Sequence, residues 1–94
     1  MTEEELEGFK EFAESINKIT EEAFIIYEAQ VDEIYRNKVK DEKEIERVID
    51  VLLGYCYDDK MLLLFKQLCR YYYEINPAVT YEYAYIFREM WDDK

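Results

Sequence analysis

Apolar and small residues recur at helical spacing from the start of the chain. Leu6, Phe9, Ala13, Ile16, Ala23, Tyr27 and Ile34 stand on one face, and Phe12, Ile19, Ile26 and Val31 widen the stripe. Thr2 with Glu5 three residues on is a capping-box signature, and Glu3, Glu4 and Glu5 suit the positive end of a helix dipole. The spacing predicts a helix running to about Lys38, roughly 55 Å long at ~1.5 Å per residue. A bend near residues 15–17, or a fresh start at Thr20, is the alternative for so long an element.

Asp41 and Glu44 repeat the capping pattern ahead of Ile45, Val48, Ile49, Leu52 and Leu53, and Gly54 is the natural residue to close that second helix. After Tyr55-Cys56-Tyr57, Asp58 or Asp59 is placed to cap a third. Its Met61, Leu62, Leu64, Phe65, Leu68, Cys69 and Tyr72 are too many for one narrow stripe, which predicts that it is the central helix. Asn76-Pro77 reads as a stop and a new start, with Asn76 as cap and Pro77 in the first turn of a fourth helix ending near Trp91. The pattern therefore predicts an all-α fold, a compact four-helix bundle-like domain with a long first helix, over residues 1–94.

Composition narrows what such a domain can do. Half of the 94 residues are hydrophobic and only three are Gly or Pro, which fits one ordered helical domain without linkers. A chain this small buries only about 60–65% of its unfolded surface, so binding on an outer face is easier to accommodate than a deep cleft. The net charge of −11 argues against direct contact with nucleic acid or an anionic membrane, and leaves basic protein partners open. There is no His, which closes Ser-His-Asp and Cys-His catalysis, His-ligated zinc or haem, and the Glu-x-x-His pairs of di-iron bundles. No catalytic residue, no metal and no cofactor is predicted, and the chain is read as not an enzyme.

Cys56 and Cys69 form neither a Cys-x-x-Cys pair nor half of a zinc site, so free thiols in a reducing cytoplasm are expected. Cys69 falls on the apolar side of the third helix, whereas Cys56, beside Gly54, is expected to be the more exposed. The acidic N-terminus is unlike a signal peptide, and the longest apolar runs, residues 23–27 and 61–65, are far shorter than the ~20 residues of a membrane span. A soluble, cytoplasmic protein is the expectation.

Charge is concentrated on the first helix. Residues 1–35 hold eleven acids and two lysines. Glu7, Glu14, Glu21 and Glu28 are heptad-spaced, and Glu4, Glu11 and Asp32 fall on the same side, making a stripe. Its density, one net charge per roughly 5.6 Å, is sparser than the ~3.4 Å of a single DNA strand. A solvated face of an amphipathic helix accounts for the stripe, and docking on a basic partner is the functional reading.

Aromatics are the second anomaly, with eight of the ten tyrosines after residue 54. Val79, Tyr83, Ile86, Phe87 and Met90 share one face of the fourth helix, while Tyr81 and Tyr85 lie on another. Tyr81, Tyr85, Arg88 and Trp91 form a candidate contact patch, since Tyr, Trp and Arg dominate interface hot spots. A core built from Tyr with hydroxyls reaching water is the competing reading.

Acid pairs at Glu11/Glu14 and Glu89/Asp92 match the Glu-x-x-Glu and Glu-x-x-Asp spacing of all-α Mg²⁺-dependent nucleotide hydrolases. Such spacings arise readily among 23 acids, and no Gly-rich loop or basic cluster is present to hold phosphates. That enzyme reading is the alternative.

Leu53-Gly54-Tyr55-Cys56-Tyr57-Asp58, Phe65-Lys66-Gln67-Leu68-Cys69-Arg70-Tyr71, Asn76-Pro77 and Arg88-Glu89-Met90-Trp91-Asp92 resemble segments of a group of small acidic helical proteins carried by bacterial mobile elements. The resemblance covers roughly the C-terminal half and implies an accessory or inhibitor role without any assigned chemistry. The function expected from the whole reading is a non-enzymatic protein-interaction module. Its sharper form is an acidic inhibitor or decoy of a basic nucleic-acid-handling protein, and self-association into a homodimer is a further alternative.

Overall fold

Side-chain caps set where the helices begin. In the computed structural model, which describes residues 2–92, Thr2 Oγ1 accepts from the Glu5 amide at 3.1 Å while Glu5 Oε2 accepts from the Thr2 amide at 3.3 Å, and α1 runs from Glu3 to Asn37. It does so without the bend or restart that its length allowed. Asp41 accepts from the Lys43 amide at 3.0 Å and opens α2, Glu42–Leu53. Asp58 accepts from the Met61 amide at 3.1 Å and opens α3, Asp59–Tyr73; Asn76 accepts from the Val79 amide at 3.1 Å and opens α4, Pro77–Phe87. One π-helical turn, Arg88–Asp92, follows α4. No strand is present among the described residues.

The closing of the helices differs from the sequence pattern. The left-handed residue is Lys38, with φ 50°, and its amide bonds back to the carbonyls of Ile34 and Tyr35. Gly54, expected to take that conformation, has φ −72° and ψ −14°, because the chain leaves α2 through a tight right-handed turn in which Tyr55 N bonds Leu52 O at 2.9 Å. A lysine in the left-handed region costs about 1 kcal/mol or more relative to glycine.

α3 lies at the centre, packed against α1, α2 and α4. It runs parallel to α1: Tyr57, just before α3, meets Thr20, and Gln67 and Tyr71 meet Tyr35 and Val39 at the other end. Ile45, Val48, Ile49 and Leu52 of α2 and Met61 and Leu68 of α3 are wholly buried, joined by Val31 and Ile34 of α1. Burial of aliphatic side chains at about 1.5–3 kcal/mol each is what holds this body together.

Tyrosine supplies its polar seams. Tyr72, fully buried, points its hydroxyl between two carboxylates of α2, donating to Glu46 with Glu42 Oε1 at 3.1 Å. Asn76 Nδ2 donates to that same Glu42 oxygen at 2.7 Å. Tyr83 of α4 donates to Asp50 at 2.7 Å, and Tyr71 donates to the Val39 carbonyl at 2.5 Å. Burial, then the carboxylate partners, push the Tyr72 phenol well above its ordinary range, and burial with Asp50 does the same for Tyr83. Large aromatic bodies are thus hidden while their tips stay satisfied, which is how a small core holds so much Tyr.

α1 outruns everything it packs on. Its 35 residues extend roughly 52 Å, whereas the 12, 15 and 11 residues of α2, α3 and α4 reach only about 17–23 Å. The first buried residue of α1 is Thr20, and the molecule is accordingly elongated, 52 × 29 × 18 Å. Residues 3–19 form a helical arm projecting from a body made by the rest.

Candidate functional site

The arm leaves the body at a well-made joint. Thr20 Oγ1 donates to the Ile16 carbonyl at 2.8 Å, so the 2.6 Å contact with Tyr57 must have the phenol as donor. Lys60 lies over the ring of Phe24, 5.5 Å from its centroid, and Tyr57 in turn packs against Trp91 with ring centroids 6.3 Å apart. These contacts fix the direction of α1 as it passes out of the body, and the capping box at Thr2 holds the far end helical.

On the arm the apolar stripe continues without its cover. Leu6, Phe9, Ala13 and Ile16 fall on the helix face that Thr20, Ala23, Tyr27, Val31 and Ile34 turn toward the body, because the steps of three and four residues run on unbroken. Leu6 is 53% exposed, Phe9 65% and Phe12 63%, and Ile19 at its edge is exposed as well. Sequence patterning marked these residues as one face; that Leu6, Phe9, Phe12 and Ala13 lie uncovered, with Ile16 half-buried one turn before Thr20, follows from helix lengths, since α2, α3 and α4 are each less than half as long as α1.

Carboxylates occupy the opposite side of the helix. Glu4, Glu7, Glu11, Glu14, Glu21, Glu28 and Asp32 are all exposed, on the side of α1 turned away from the body. Glu4, Glu7, Glu11 and Glu14 lie on the arm, behind its apolar stripe, whereas Glu21, Glu28 and Asp32 lie behind the body half of the helix. Asp32 is tied to Arg36 one turn on, at 2.5 Å, the one ion pair among the described residues. A helix that is apolar on one side and acidic on the other offers contact area on the first and long-range attraction to a basic molecule through the second.

The structure divides the aromatic patch. Tyr81 and Tyr85 stand together, each 66% exposed, beside Glu82 and Ile86, and Tyr73 of α3 meets Tyr81 edge-on at 5.8 Å. Arg88 is exposed one turn further along. Trp91 belongs elsewhere: it is half-buried, its indole N–H donates to the Leu53 carbonyl at 2.9 Å, and it helps to close the end of the body from which the arm leaves. The π-helical turn is what rotates Trp91 off the line that α-helical spacing drew through Tyr81, Tyr85 and Arg88.

No protein-family model, curated protein or solved structure matches the chain. The chemistry therefore rests on the side chains alone.

Neither thiol is set up as a nucleophile. Cys56, which the sequence placed near the surface, is the buried one, its Sγ 3.3 Å from the Leu52 carbonyl; Cys69 is half-buried. The short turn after Gly54 carries Cys56 inward against the end of α2. Burial pushes the Cys56 thiol up to about 11, with Lys66 opposing, and the Cys69 thiol up to about 12. Glu11 and Glu14 sit on the arm and Glu89 on the terminal turn; the Asp92 side chain is outside what the structure describes. Among the described residues no three His, Cys, Asp or Glu side chains converge to hold a metal ion. No helix among them is long and apolar enough to cross a membrane.

Proposed function

We propose that this protein is a non-enzymatic interaction module whose body, a compact helical bundle, carries the acidic N-terminal arm to a basic protein partner in the cytoplasm. The single observation that supports the reading is the uncovered apolar face of the arm, Leu6, Phe9 and Phe12, with Glu4, Glu7, Glu11 and Glu14 on the other side of the same helix. Two phenyl rings and a leucine on a stiff helix supply contact area at small entropic cost, and the carboxylates supply long-range attraction and choice of partner. The sharper form is an inhibitor or decoy that occupies the basic surface with which another protein handles nucleic acid. The resemblance of the C-terminal half to small acidic proteins of mobile elements favours that form.

Immobilised protein incubated with cell extract at low and high salt tests the reading. The expected result is capture of nucleic-acid-binding proteins that elute as salt rises, as an electrostatic contact requires. Their capture should be lost both with Phe9→Ser/Phe12→Ser and with Gln replacing Glu7, Glu11 and Glu14. Retention of the same proteins by both variants, or absence of any salt-sensitive basic partner, would contradict it.

A further inference from the structure

The apolar stripe of the arm is its own complement when reversed. Leu6, Phe9, Ala13 and Ile16 follow one another at steps of three, four and three residues, the spacing of a two-helix seam. Glu4, Glu7, Glu11 and Glu14 stand on the opposite side, and Glu5, the acid nearest the stripe, is held by its bond to the Thr2 amide. Gly8 and Ser15 lie toward one flank of the stripe, Lys10 and Asn17 toward the other.

We propose that this stripe pairs with the same stripe of a second copy of the chain, the two arms lying antiparallel about a two-fold axis. One register satisfies overlap and packing together. When residue 3 of each arm lies beside residue 19 of the other, the arms overlap fully, Leu6 faces Ile16 of the second copy, and Phe9 faces its Ala13. The ring thus meets the smallest side chain of the stripe, twice, and the aliphatics meet each other. A parallel pair would set Phe9 on Phe9 and Ala13 on Ala13, crowding one layer and emptying the next, and would bring two acidic bodies side by side. A chain cannot cover its own stripe, because α1 is one unbroken helix.

Charge permits the contact. With helix axes about 9 Å apart, the outward carboxylates of the two arms are separated by about 20 Å, beyond the Debye length of about 8 Å at physiological salt. Area sets the strength. Half the barrel of an arm about 25 Å long and about 10 Å across presents roughly 400 Å², so the pair buries roughly 800 Å². Stable complexes bury about 1,200–2,000 Å², so this pairing is reversible, with a dissociation constant on the order of tens of micromolar. The two-fold contact closes at two copies, and a partner that takes the apolar stripe competes with the second copy for it.

Sedimentation equilibrium of the full-length protein alone, from about 1 to about 500 µM, tests the pairing. The expected result is a monomer–dimer equilibrium unchanged or tightened between about 0.05 and about 0.5 M salt, because the contact is apolar and the acids face away. Phe9→Ala, which leaves Ala against Ala, and Ala13→Phe, which sets Phe against Phe, should each weaken the dimer at least about tenfold. Mixed in equal amounts, the two variants should associate as tightly as wild type, since each Phe again meets an Ala. Tyr81→Ser/Tyr85→Ser should dimerise as wild type does. Small-angle scattering at about 500 µM should give a longest dimension near about 80 Å, from residue 37 of one copy to residue 37 of the other, against 52 Å for one chain. The substituted sites are exposed, and unaltered melting at about 1 µM confirms the fold of each variant. A wild type that stays monomeric overturns the proposal, as does a dimer that salt dissolves, a mixture no tighter than its components, a dimer no longer than one chain, or a dimer lost with Tyr81 and Tyr85. Because no partner is present, failure here leaves the partner-binding reading standing, and failure to capture a basic partner leaves the dimer standing.

Discussion

Two halves of one helix carry the same pattern and meet different fates. Residues 20–37 of α1 place Ala23, Val31 and Ile34 in the core, whereas residues 3–19 hold Leu6, Phe9 and Phe12 on the same face in the open. Periodicity fixes which side of a helix is apolar, but only the length of its neighbours decides whether that side is covered. In the body an apolar side chain stabilises the fold; on the arm it is available for contact with another molecule.

The largest difference between the halves should appear in stability. Ile49→Ala, at a wholly buried site, is expected to cost about 2–5 kcal/mol, while Phe9→Ala on the arm should cost less than about 0.5 kcal/mol. Urea denaturation at about 1 µM, where association is minimal, would show this, and similar losses for both would erase the division between arm and body.

Next in size is the tyrosine seam. Tyr72→Phe keeps the ring but removes the donor between Glu46 and Glu42, and a loss of about 1–2 kcal/mol is expected. Tyr81→Phe, at an exposed site, should be silent in the same thermal melts.

Alkaline pH should act on the body alone. The Cys56 and Cys69 thiols and the Tyr72 and Tyr83 phenols all hold their protons more tightly folded than unfolded. Their contribution is complete below the unfolded thiol value of about 9, and it is lost as pH rises through the folded values, about 11 and about 12 for the thiols. Melting temperature measured from pH 8 upward should therefore fall above about pH 9, most steeply beyond about pH 10 as the phenols join. Residues 3–19 contain neither Cys nor Tyr, so Phe9→Ser/Phe12→Ser should leave that profile in place.

Smallest is the exchange of Lys38 for glycine. Its φ of 50° suits glycine, and Lys38→Gly should raise stability by about 0.5–1 kcal/mol in a thermal melt, since relief of strain exceeds the added freedom of the unfolded chain.

Much of this architecture was written locally. Thr2, Asp41, Asp58 and Asn76 announce the four helix starts because a cap is a short-range event between a side chain and an amide two or three residues away. The ends were less legible. Gly54 looked like the left-handed stop and Lys38 takes that role, because the path of the following turn, set by packing, chooses the conformation. Trp91 shows the same limit: spacing placed it with Tyr81 and Tyr85, and a π-helical turn with a bond to the Leu53 carbonyl sets it against the body instead. The acidic stripe and the exposed pair Tyr81 and Tyr85 could be named from sequence. That the arm stands free could not be, since it depends on where three other helices stop. Equally hidden was the open cavity that Phe65, Lys66 and Arg70 of α3 line together with Ala84 and Phe87 of α4, because it exists only where two helices meet.

Hydrogen exchange along α1 tests the division most directly. At about 1 µM, amides of residues 20–37 should exchange only through opening of the whole body, while those of residues 3–19 exchange at least about a hundredfold faster, with a step near Thr20. Uniform protection from Glu3 to Asn37 would contradict the account, because it would mean that the arm shares the stability of the core.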